Sequence, residues 1–376
     1  MADDSILALE SDGTADTIQL LGEHLINSIL ENKSRQEIRT IIDNGAPIWY
    51  QNETEGISAL HAAAYVRDAE LARYLLEQGA IWNAVDKMNN TAGDIALSLN
   101  DGEIYNIIRD AGIRSEMLLS ALEYQENPST ILLRVNDETS AGSNEVFLTS
   151  RLRFAKDDTG QDVCFVQAGD QEVGVMMGWE TGIMKETVLK LCKNYENAHH
   201  LKVLNVGFGL GIIDSLFQAL PTPPALHVII EPHPDVLNHM RELGYYDRPG
   251  VRILEGKWQD FLDKEEILSV GGFDVVYTDT FSEDYTDLHR FFEKLPNILA
   301  SPESRFSFFN GLGATNSLFY DVYTHIAELH LSDIGLDVQW YDVDVVPDSD
   351  PERWGKSREY FTVPFYRLPI CTMDLI

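Results

Sequence analysis

Three alternating glycines, Gly207, Gly209 and Gly211, follow the apolar stretch 201–206 and precede a helical pattern. Glycine has no side chain, so a strand, a glycine turn and a helix N-terminus together let backbone N–H groups approach a ligand closely. This arrangement predicts a site for a nucleotide-like cofactor. A dinucleotide fingerprint needs glycines at its first, third and sixth positions, but the sixth position is Ile212. The spacing therefore disfavours NAD.

Polar residues follow the next two predicted strands. Glu231 lies 24 positions after Gly207, where an acid would accept hydrogen bonds from the two hydroxyls of a ribose, and Pro232 and His233 come directly after it. A solvated loop acid is the alternative interpretation of Glu231. Trp258 follows the third strand, and its indole either covers an adenine ring or belongs to the core.

Two carboxylates, Glu180 and Asp279, lie beside apolar sequence. Glu180 is the one charged residue in the stretch 175–184, and Asp279 follows the apolar run of the fourth strand. An isolated acid is costly to bury without a cationic partner. Together, the two carboxylates could bind one cationic group of a substrate and hold it next to a cofactor that carries a sulfonium.

The elements that must position these residues alternate between strand and helix. This alternation predicts a mostly parallel sheet with helices on both faces, whose ligand lies over the carboxyl ends of the strands. A small strand-rich region is predicted before it, near 152–154 and 163–165. Helices are predicted at Asp235–Leu243 and Thr286–Leu299. The predicted strands of the main sheet are Val203–Val206, Val228–Glu231, Val251–Leu254, Val275–Thr278, Phe306–Phe309, Val338–Val343 and Tyr360–Phe365.

The first third of the chain repeats with a period of 33 to 34 residues, since 75–80 echoes 41–46 and 91–96 echoes 58–63. Such a period predicts stacked helical hairpins. The sequence 58–63 closely resembles the ankyrin consensus, as one near-complete copy flanked by two degenerate ones over residues 20–115.

Two kinds of side chain in these repeats admit more than one role. His61 is predicted to be the structural histidine of the ankyrin consensus rather than a ligand. Trp49, Tyr50 and Trp82 follow the glycines that end helices, and either packing or contact with a partner would explain them.

Composition limits the class of protein. A length of 376 residues allows two or three domains, and a net charge of −33 argues against a direct nucleic-acid surface while favouring a basic protein partner. No apolar run approaches the roughly 20 residues that span a bilayer. With no signal-peptide pattern at the N-terminus, a soluble intracellular protein is expected. Cys164, Cys192 and Cys371 match no metal or redox spacing and are predicted to be reduced structural thiols.

Five motifs occur in one consistent order, and together they resemble those of guanidinoacetate methyltransferases. They are VMMGWET at 175–181, VLNVGFG at 203–209, IIE at 229–231, GKW at 256–258 and YTDT at 277–280. With ankyrin-like repeats in front, the whole chain resembles the fungal type IV protein arginine methyltransferases, which methylate the internal N5 nitrogen of arginine.

The resemblance implies a fold and a domain division. The fold would be a Rossmann-like class I methyltransferase domain, with a seven-stranded mixed α/β sheet whose final strand pair is antiparallel, preceded by an all-α ankyrin-repeat domain. The implied boundaries are 1–117 for the repeats, 118–150 for a linker and 151–376 for the methyltransferase domain. A monomer in the cytoplasm and nucleus is expected.

The resemblance also implies residue roles, with S-adenosylmethionine as cofactor and no metal. Glu180 and Asp279 would grip the guanidinium, with Asp279 as the expected proton acceptor. Asn310 and Thr315 would lie near the rest of the substrate. The residues expected around the cofactor are Met176, Met184, Val206, Gly207, Phe208, Gly209, Leu210, Gly211, Glu231, Pro232, His233, Trp258, Gln259 and Asp279.

Guanidinium chemistry fits two carboxylates. The arginine pKa of about 12.5 to 13.8 makes prior deprotonation near pH 7 cost on the order of 8 kcal/mol. A carboxylate at roughly 4 Å from the cation offers about 4 kcal/mol at an effective dielectric of 20. Two carboxylates could therefore orient the cation while one accepts the proton as the methyl group arrives. Guanidinoacetate enzymes methylate the nitrogen that corresponds to the internal nitrogen of arginine.

The chain departs from its relatives at Asn205, where an acid often precedes the glycine loop. It also lacks the two-glutamate loop and the Thr-His-Trp motif of the common arginine methyltransferases, which disfavours methylation of the terminal nitrogens. The expected substrate is a basic protein, for which the family suggests a ribosomal protein. A small-molecule guanidine methyltransferase and an inactive binding adaptor are the alternatives.

Overall fold

The structure is a computed structural model that describes residues 4–124, 143–168, 171–193, 195, 198–281, 283–345, 354, 357 and 359–374. Contacts along the chain form two compact units. The first is Met1–Pro128 with Gly313–Ile326, and the second is Ser129–Leu312 with Ala327–Ile376. The middle of the expected linker, 125–142, lies outside the described residues, so the domain boundaries remain a prediction.

The helices and strands of the described residues are numbered in chain order. The α-helices are α1 Asp4–Leu30, α2 Arg35–Asp43, α3 Ala59–Tyr65, α4 Ala69–Glu77, α5 Ala92–Ser98, α6 Gly102–Tyr124, α7 Asn144–Thr149, α8 Thr181–Cys192, α9 Ile212–Gln218, α10 Pro234–Glu242, α11 Glu265–Leu268, α12 Tyr285–Phe292, α13 Leu295–Ile298 and α14 Ser317–Asp333. The strands are β1 Leu152–Lys156, β2 Asp162–Ala168, β3 Gln171–Met177, β4 Lys202–Val206, β5 Leu226–Glu231, β6 Val251–Glu255, β7 Val275–Thr278, β8 Arg305–Phe308, β9 Leu336–Asp344 and β10 Phe365–Met373.

The first unit contains the predicted helical repeats. Ser58 and Thr91 cap α3 and α5, and each side chain accepts a hydrogen bond from the backbone N–H three residues later. Such a cap satisfies an N–H group that the helix itself leaves unpaired. His61 is buried, with its Nδ1 at 2.8 Å from the Ser58 hydroxyl and its Nε2 at 3.1 Å from the Asn90 carbonyl oxygen. His61 therefore has the structural role that the sequence predicts.

The aromatic residues that follow the helix-ending glycines divide between packing and exposure. Tyr50 and Trp82 are buried in the first unit, whereas Trp49 keeps 56% of its surface exposed. Packing therefore accounts for two of the three, and contact with a partner remains open for Trp49.

A segment from the second half of the sequence, 313–326, belongs to the first unit. The Asn316 amide donates a hydrogen bond to the Asp94 carboxylate at 2.6 Å. Phe319 packs edge-to-face on Trp82, with 5.7 Å between ring centroids. Residues 313–326 therefore help to form the core of the repeat unit.

The second unit holds two sheets. Strands β1, β2 and β3 form an antiparallel three-stranded sheet, which confirms the small strand-rich region predicted before the main sheet. The main sheet has the strand order β6-β5-β4-β7-β8-β10-β9, in which β10 runs antiparallel to both of its neighbours and the other pairs are parallel. This is the expected seven-stranded mixed sheet of a Rossmann-like fold. Its strand order reverses between β4 and β7, where open α/β sheets bind ligands.

Two predicted elements are wrong in their bounds. The strand predicted at Tyr360–Phe365 begins only at Phe365 and extends to Met373 as β10, because the pairing with β9 starts where Phe365 meets Asp344. The helix predicted at Thr286–Leu299 is two helices, α12 and α13. Pro296 lies in the first turn of α13, and a proline cannot continue a helix from the preceding turn because it lacks an N–H and clashes with that turn.

The described residues also bear on two expectations for the whole chain. Within them, no helix combines the length and the apolar character needed to cross a bilayer. The three cysteines are free, and burial raises the pKa of Cys164 and of Cys192 to about 12. Both thiols are therefore protonated near neutral pH, as structural thiols should be.

Candidate active site

The glycine loop joins β4 to α9 and lies against the end of β7. Gly207, Gly209 and Gly211 have φ angles of 89°, 59° and 70°, which residues with a Cβ rarely adopt. A Cβ added to Gly207 would collide with the backbone carbonyl of Asp279, and one added to Gly209 would lie 2.5 Å from the Met176 sulfur. The loop therefore needs glycine for both its conformation and its close contacts.

Glu231 connects the glycine loop to the start of α10. Its two carboxylate oxygens accept hydrogen bonds from the backbone N–H groups of Phe208 at 2.9 Å and His233 at 2.7 Å. Burial raises the pKa of Glu231 to about 7, although these N–H groups favour the anion. Each oxygen of a carboxylate has a second acceptor site. Glu231 therefore both fixes the loop and retains the capacity to accept ribose hydroxyls.

His233 and its neighbours are held by contacts beyond the predicted site. The Nδ1 of His233 accepts the backbone N–H of Asp235 at 3.1 Å and so caps α10, which has Pro234 in its first turn. The Nε2 of His233 lies 3.1 Å from the Phe147 carbonyl oxygen. Pro232 sits between Glu231 and this cap, in the turn that joins β5 to α10. Phe147 thus positions the predicted loop although sequence reasoning did not single it out.

Trp258 and Gln259 lie in a short 3-10 turn after β6, and both donate to Glu283. The Trp258 indole N–H lies 3.0 and 3.1 Å from the two Glu283 oxygens, and the Gln259 amide lies 3.2 Å from one of them. Thr280, next to Asp279, donates to the other oxygen at 2.6 Å. Trp258 is also buried edge-on against Phe291. It therefore belongs to the core while its polar edge is tied to the loop after β7.

The structure brings Glu180 and Asp279 close enough to interact electrostatically. Burial and the neighbouring charge of Asp279 raise the pKa of Glu180 to about 8, and the removal of water around Asp279 raises its pKa to about 7. Glu180 has 7% of its surface exposed, whereas Asp279 keeps a partly exposed face. Two like charges in a poorly hydrated site favour a shared proton or a bound cation.

Two methionines contact the elements that carry the glycine loop and Asp279. Met184 in α8 is buried, and its sulfur lies 3.3 Å from the Tyr277 hydroxyl, which donates to it from β7. Met176 in β3 is half-buried and contacts the glycine loop at Gly209. Val206 and Phe208 are buried, while Leu210 is half-buried at the turn into α9. These five residues therefore lie near the glycine loop after β4 or the strand β7, and their contact with a cofactor stays a prediction.

The two residues predicted to contact the rest of the substrate fall in different units. Asn310 is buried after β8, where its amide donates to the Arg367 carbonyl at 3.2 Å and its backbone N–H donates to the Tyr366 hydroxyl at 2.9 Å. Thr315 is exposed and belongs to the first unit. The structure therefore gives Asn310 a role in holding β10, and a role in substrate binding stays a prediction for both residues.

Asn205, the atypical residue before the glycine loop, is fully buried. Its amide nitrogen lies 2.9 Å from the Gly207 carbonyl oxygen and 3.0 and 2.9 Å from the two oxygens of Asp214. Asp214 also lies 3.0 Å from the Nε2 of His227, and both of these side chains are buried. The side chain of Asn205 therefore stabilises the glycine loop by linking the Gly207 carbonyl to Asp214 in α9.

Comparison with known proteins shows which families the sequence matches. The family model described as guanidinoacetate N-methyltransferase matches residues 167–332, and the ankyrin repeat model matches residues 55–87. A protein arginine N-methyltransferase 2 from Cryptococcus neoformans is 44% identical over 89% of this chain and 91% of its own. Similar proteins of the same name in Aspergillus oryzae and Saccharomyces cerevisiae are 38% and 34% identical, over 80% and 85% of this chain and 76% and 84% of their own.

This chain belongs to the protein arginine N-methyltransferase 2 family. The expected ankyrin-repeat and methyltransferase regions are thereby confirmed, and the chain is an arginine methyltransferase by family. The family uses S-adenosylmethionine, whose amino-acid, ribose and adenine parts would require a backbone cradle, an acid and an apolar wall. The glycine loop and Glu231 supply the first two kinds of group, so the residues present fit the amino-acid and ribose parts of the cofactor.

Two side chains of the arginine methyltransferase site escaped the sequence analysis. The first is Glu283, whose carboxylate accepts hydrogen bonds from Trp258 after β6 and from Thr280 after β7. The second is Tyr360, which lies before β10 and donates a hydrogen bond to Glu180. Glu283 follows YTDT by three positions, so its proximity to the motif was a usable signal. Tyr360 lies 180 positions after Glu180, and only the three-dimensional fold brings the two together.

Proposed function

We propose that this arginine methyltransferase transfers a methyl group to the internal N5 nitrogen of an arginine in a basic protein, with a ribosomal protein as the substrate class. The observation that carries the proposal is the pair of poorly hydrated carboxylates, buried Glu180 and half-buried Asp279, beside the glycine loop. A cation relieves the repulsion between two such acids, and arginine carries the one side-chain cation that is planar and always charged.

The two carboxylates divide the work of the reaction. When bound, S-adenosylmethionine supplies an electrophilic methyl group and leaves as S-adenosylhomocysteine. Glu180 and Asp279 orient the guanidinium so that its internal nitrogen faces that methyl group, and positioning is the main requirement of such a displacement. As the new N–C bond forms, the nitrogen loses its proton to Asp279. The methylated arginine is a cation, because the transferred methyl group brings the positive charge that the departing proton removes, and Asp279 then releases its proton to solvent.

Selectivity for N5 is supported by the match to the guanidinoacetate N-methyltransferase family. It is also supported by the absence from the sequence of the two-glutamate loop and the Thr-His-Trp motif, which are typical of enzymes that methylate the terminal nitrogens. Selectivity for a basic protein is supported by the net charge of −33 and by the ankyrin repeats, a fold that presents a binding surface. The exposed Trp49 of the first unit is one candidate contact. We further propose that the protein acts as a monomer in the cytoplasm and nucleus.

The function is tested by incubating the protein with methyl-labelled S-adenosylmethionine and a basic ribosomal extract, and then locating the label by fragmentation mass spectrometry. The proposal expects label on the internal nitrogen of arginine. Label on a terminal nitrogen would refute N5 selectivity. Guanidinoacetate is run in parallel because the family match to a small-molecule enzyme makes it the second candidate substrate, and label on guanidinoacetate alone would favour that candidate.

The Asp279→Asn variant tests the assignment of the site. We expect turnover to fall by about 10² to 10⁴-fold, the usual contribution of a positioned proton acceptor, while the affinity for S-adenosylmethionine stays within a few-fold. Asp263→Asn is the matched control, because Asp263 is an acid on the surface that pairs with Lys294. Loss of cofactor binding alone in Asp279→Asn would contradict the role assigned to it.

A further inference from the structure

Tyr360 contacts the guanidinium site from the C-terminal part of the chain. Its hydroxyl donates a hydrogen bond to Oε1 of Glu180. The phenol ring is held by two tryptophans, with ring centroids 4.7 Å from Trp354 and 5.7 Å from Trp179. Since Trp179 directly precedes Glu180 in the chain, the same cluster fixes both ends of the hydrogen bond.

The two carboxylates of the pair differ in the donors that reach them. Glu180 is approached by the Tyr360 hydroxyl and by the backbone N–H of Met177, and both interactions favour its anion. Glu180 also precedes the first residue of α8, where the helix dipole favours negative charge. Among the residues that the structure describes, no hydrogen-bond donor reaches the carboxylate of Asp279.

We propose that Tyr360 is a positioning residue that gives the two carboxylates different roles in the reaction. The Tyr360 hydroxyl fixes the position of the Glu180 carboxylate and favours its anion, so that Glu180 orients the guanidinium while Asp279 accepts the proton. The inference rests on the proposed function and specifies how the site works. In the reaction step, the S–CH₃ bond breaks as the N–CH₃ bond forms, and the proton from that nitrogen bonds to a carboxylate oxygen of Asp279.

The pH dependence of kcat/KM in the Tyr360→Phe variant tests this role. Without the hydroxyl, Glu180 loses a donor to its anion, so its protonation should extend to higher pH. We expect the acid limb of the profile to move up by about one pH unit, with about tenfold lower kcat/KM at pH 7 and recovery to within about twofold at pH 9. The affinity for S-adenosylmethionine should not change.

Tyr246→Phe is the matched control. It removes a hydrogen bond of the same type, from Tyr246 to Glu255 at 2.6 Å, outside the guanidinium site, and it should leave the profile unchanged. A loss of activity in Tyr360→Phe that is equal at every pH would show a merely structural role and overturn the proposal. An acid limb that does not move would also overturn it.

A double-mutant cycle with Glu180→Gln gives a second measurement. If Tyr360 acts through Glu180, adding Tyr360→Phe to Glu180→Gln should change the residual rate by less than about twofold, whereas two independent effects would multiply. The wild-type protein separates this inference from the proposed function. If the wild type methylates guanidinoacetate and no protein arginine, the substrate assignment fails, and the same profiles and cycle measured on guanidinoacetate still decide the role of Tyr360.

Discussion

The substitution Gly207→Ala tests whether the glycine loop and Asp279 act as one unit. A Cβ at residue 207 would lie 3.0 Å from the carbonyl carbon of Asp279 and much closer to the carbonyl oxygen. To restore a normal contact, the loop or the end of β7 must move by about 1 Å, and a misplacement of that size can lower a rate by about 10²-fold. The φ of 89° adds roughly 1 to 2 kcal/mol of backbone strain.

The strain and the collision can be separated with a second glycine. Gly244 has a similar φ of 71°, but a Cβ there would meet nothing within 4 Å. Gly244→Ala should therefore lower the melting temperature slightly and leave activity intact. Gly207→Ala should lower kcat/KM by about 10²-fold or more and weaken binding of S-adenosylmethionine in calorimetric titration. If Gly207→Ala retains cofactor affinity and kcat/KM within twofold of Gly244→Ala, the proposed coupling between the loop and Asp279 is refuted.

Three further outcomes are expected from the site and its surroundings. Because the pKa values of Asp279 and Glu180 are raised to about 7 and about 8, kcat/KM should rise with pH through this window, and a flat profile between pH 6 and 8 would contradict their roles. Glu283→Ala leaves the buried indole N–H of Trp258 without its acceptor, so the Kd of S-adenosylmethionine should increase about tenfold in calorimetry; an unchanged Kd would show that this anchor is dispensable. Burial and a neighbouring histidine lower the pKa of His330 from 6.5 to about 4, so the folded state binds fewer protons than the unfolded state in this range. Stability should therefore fall by up to about 3 kcal/mol between pH 6.5 and 4, and denaturant unfolding of His330→Gln should show a smaller loss.

The main sheet could be predicted because its strands are buried and apolar. Strands such as β4, with Val203 and Leu204 buried on successive positions, and β7, which is buried throughout, produce short apolar runs separated by helical patterns. The repeats were equally visible, because their capping residues Ser58 and Thr91 recur with the repeat period. In both cases, residues close in sequence carry the signal.

The elements that sequence reasoning misplaced depend on distant partners. Tyr360 belongs to a stretch rich in aromatic residues, which by composition favours a strand, but its hydroxyl bonds to Glu180 and its ring packs on tryptophans from two other segments. Pairing with β9 begins only at Phe365. Asn310 was expected near the substrate, whereas its polar groups bond to Tyr366 and to the backbone of β10. The spacing of neighbouring residues in the sequence does not predict such contacts between distant segments.

Helix α14 has a consequence for how this protein can be divided. The helix runs from Ser317 to Asp333 without interruption, yet its residues up to Ile326 belong to the first unit and those from Ala327 to the second. Leu318 and Val322 are fully buried; a Cβ on Gly93 would collide with Leu318, and one on Gly112 would lie 3.0 Å from Val322. A fragment that begins at residue 151 would place these apolar side chains in water, at a cost of about 1.5 to 3 kcal/mol each. A cut within residues 118–150 would therefore separate the first part of α14 from the repeat side chains that it packs against, and we expect that part of the helix to lose stability.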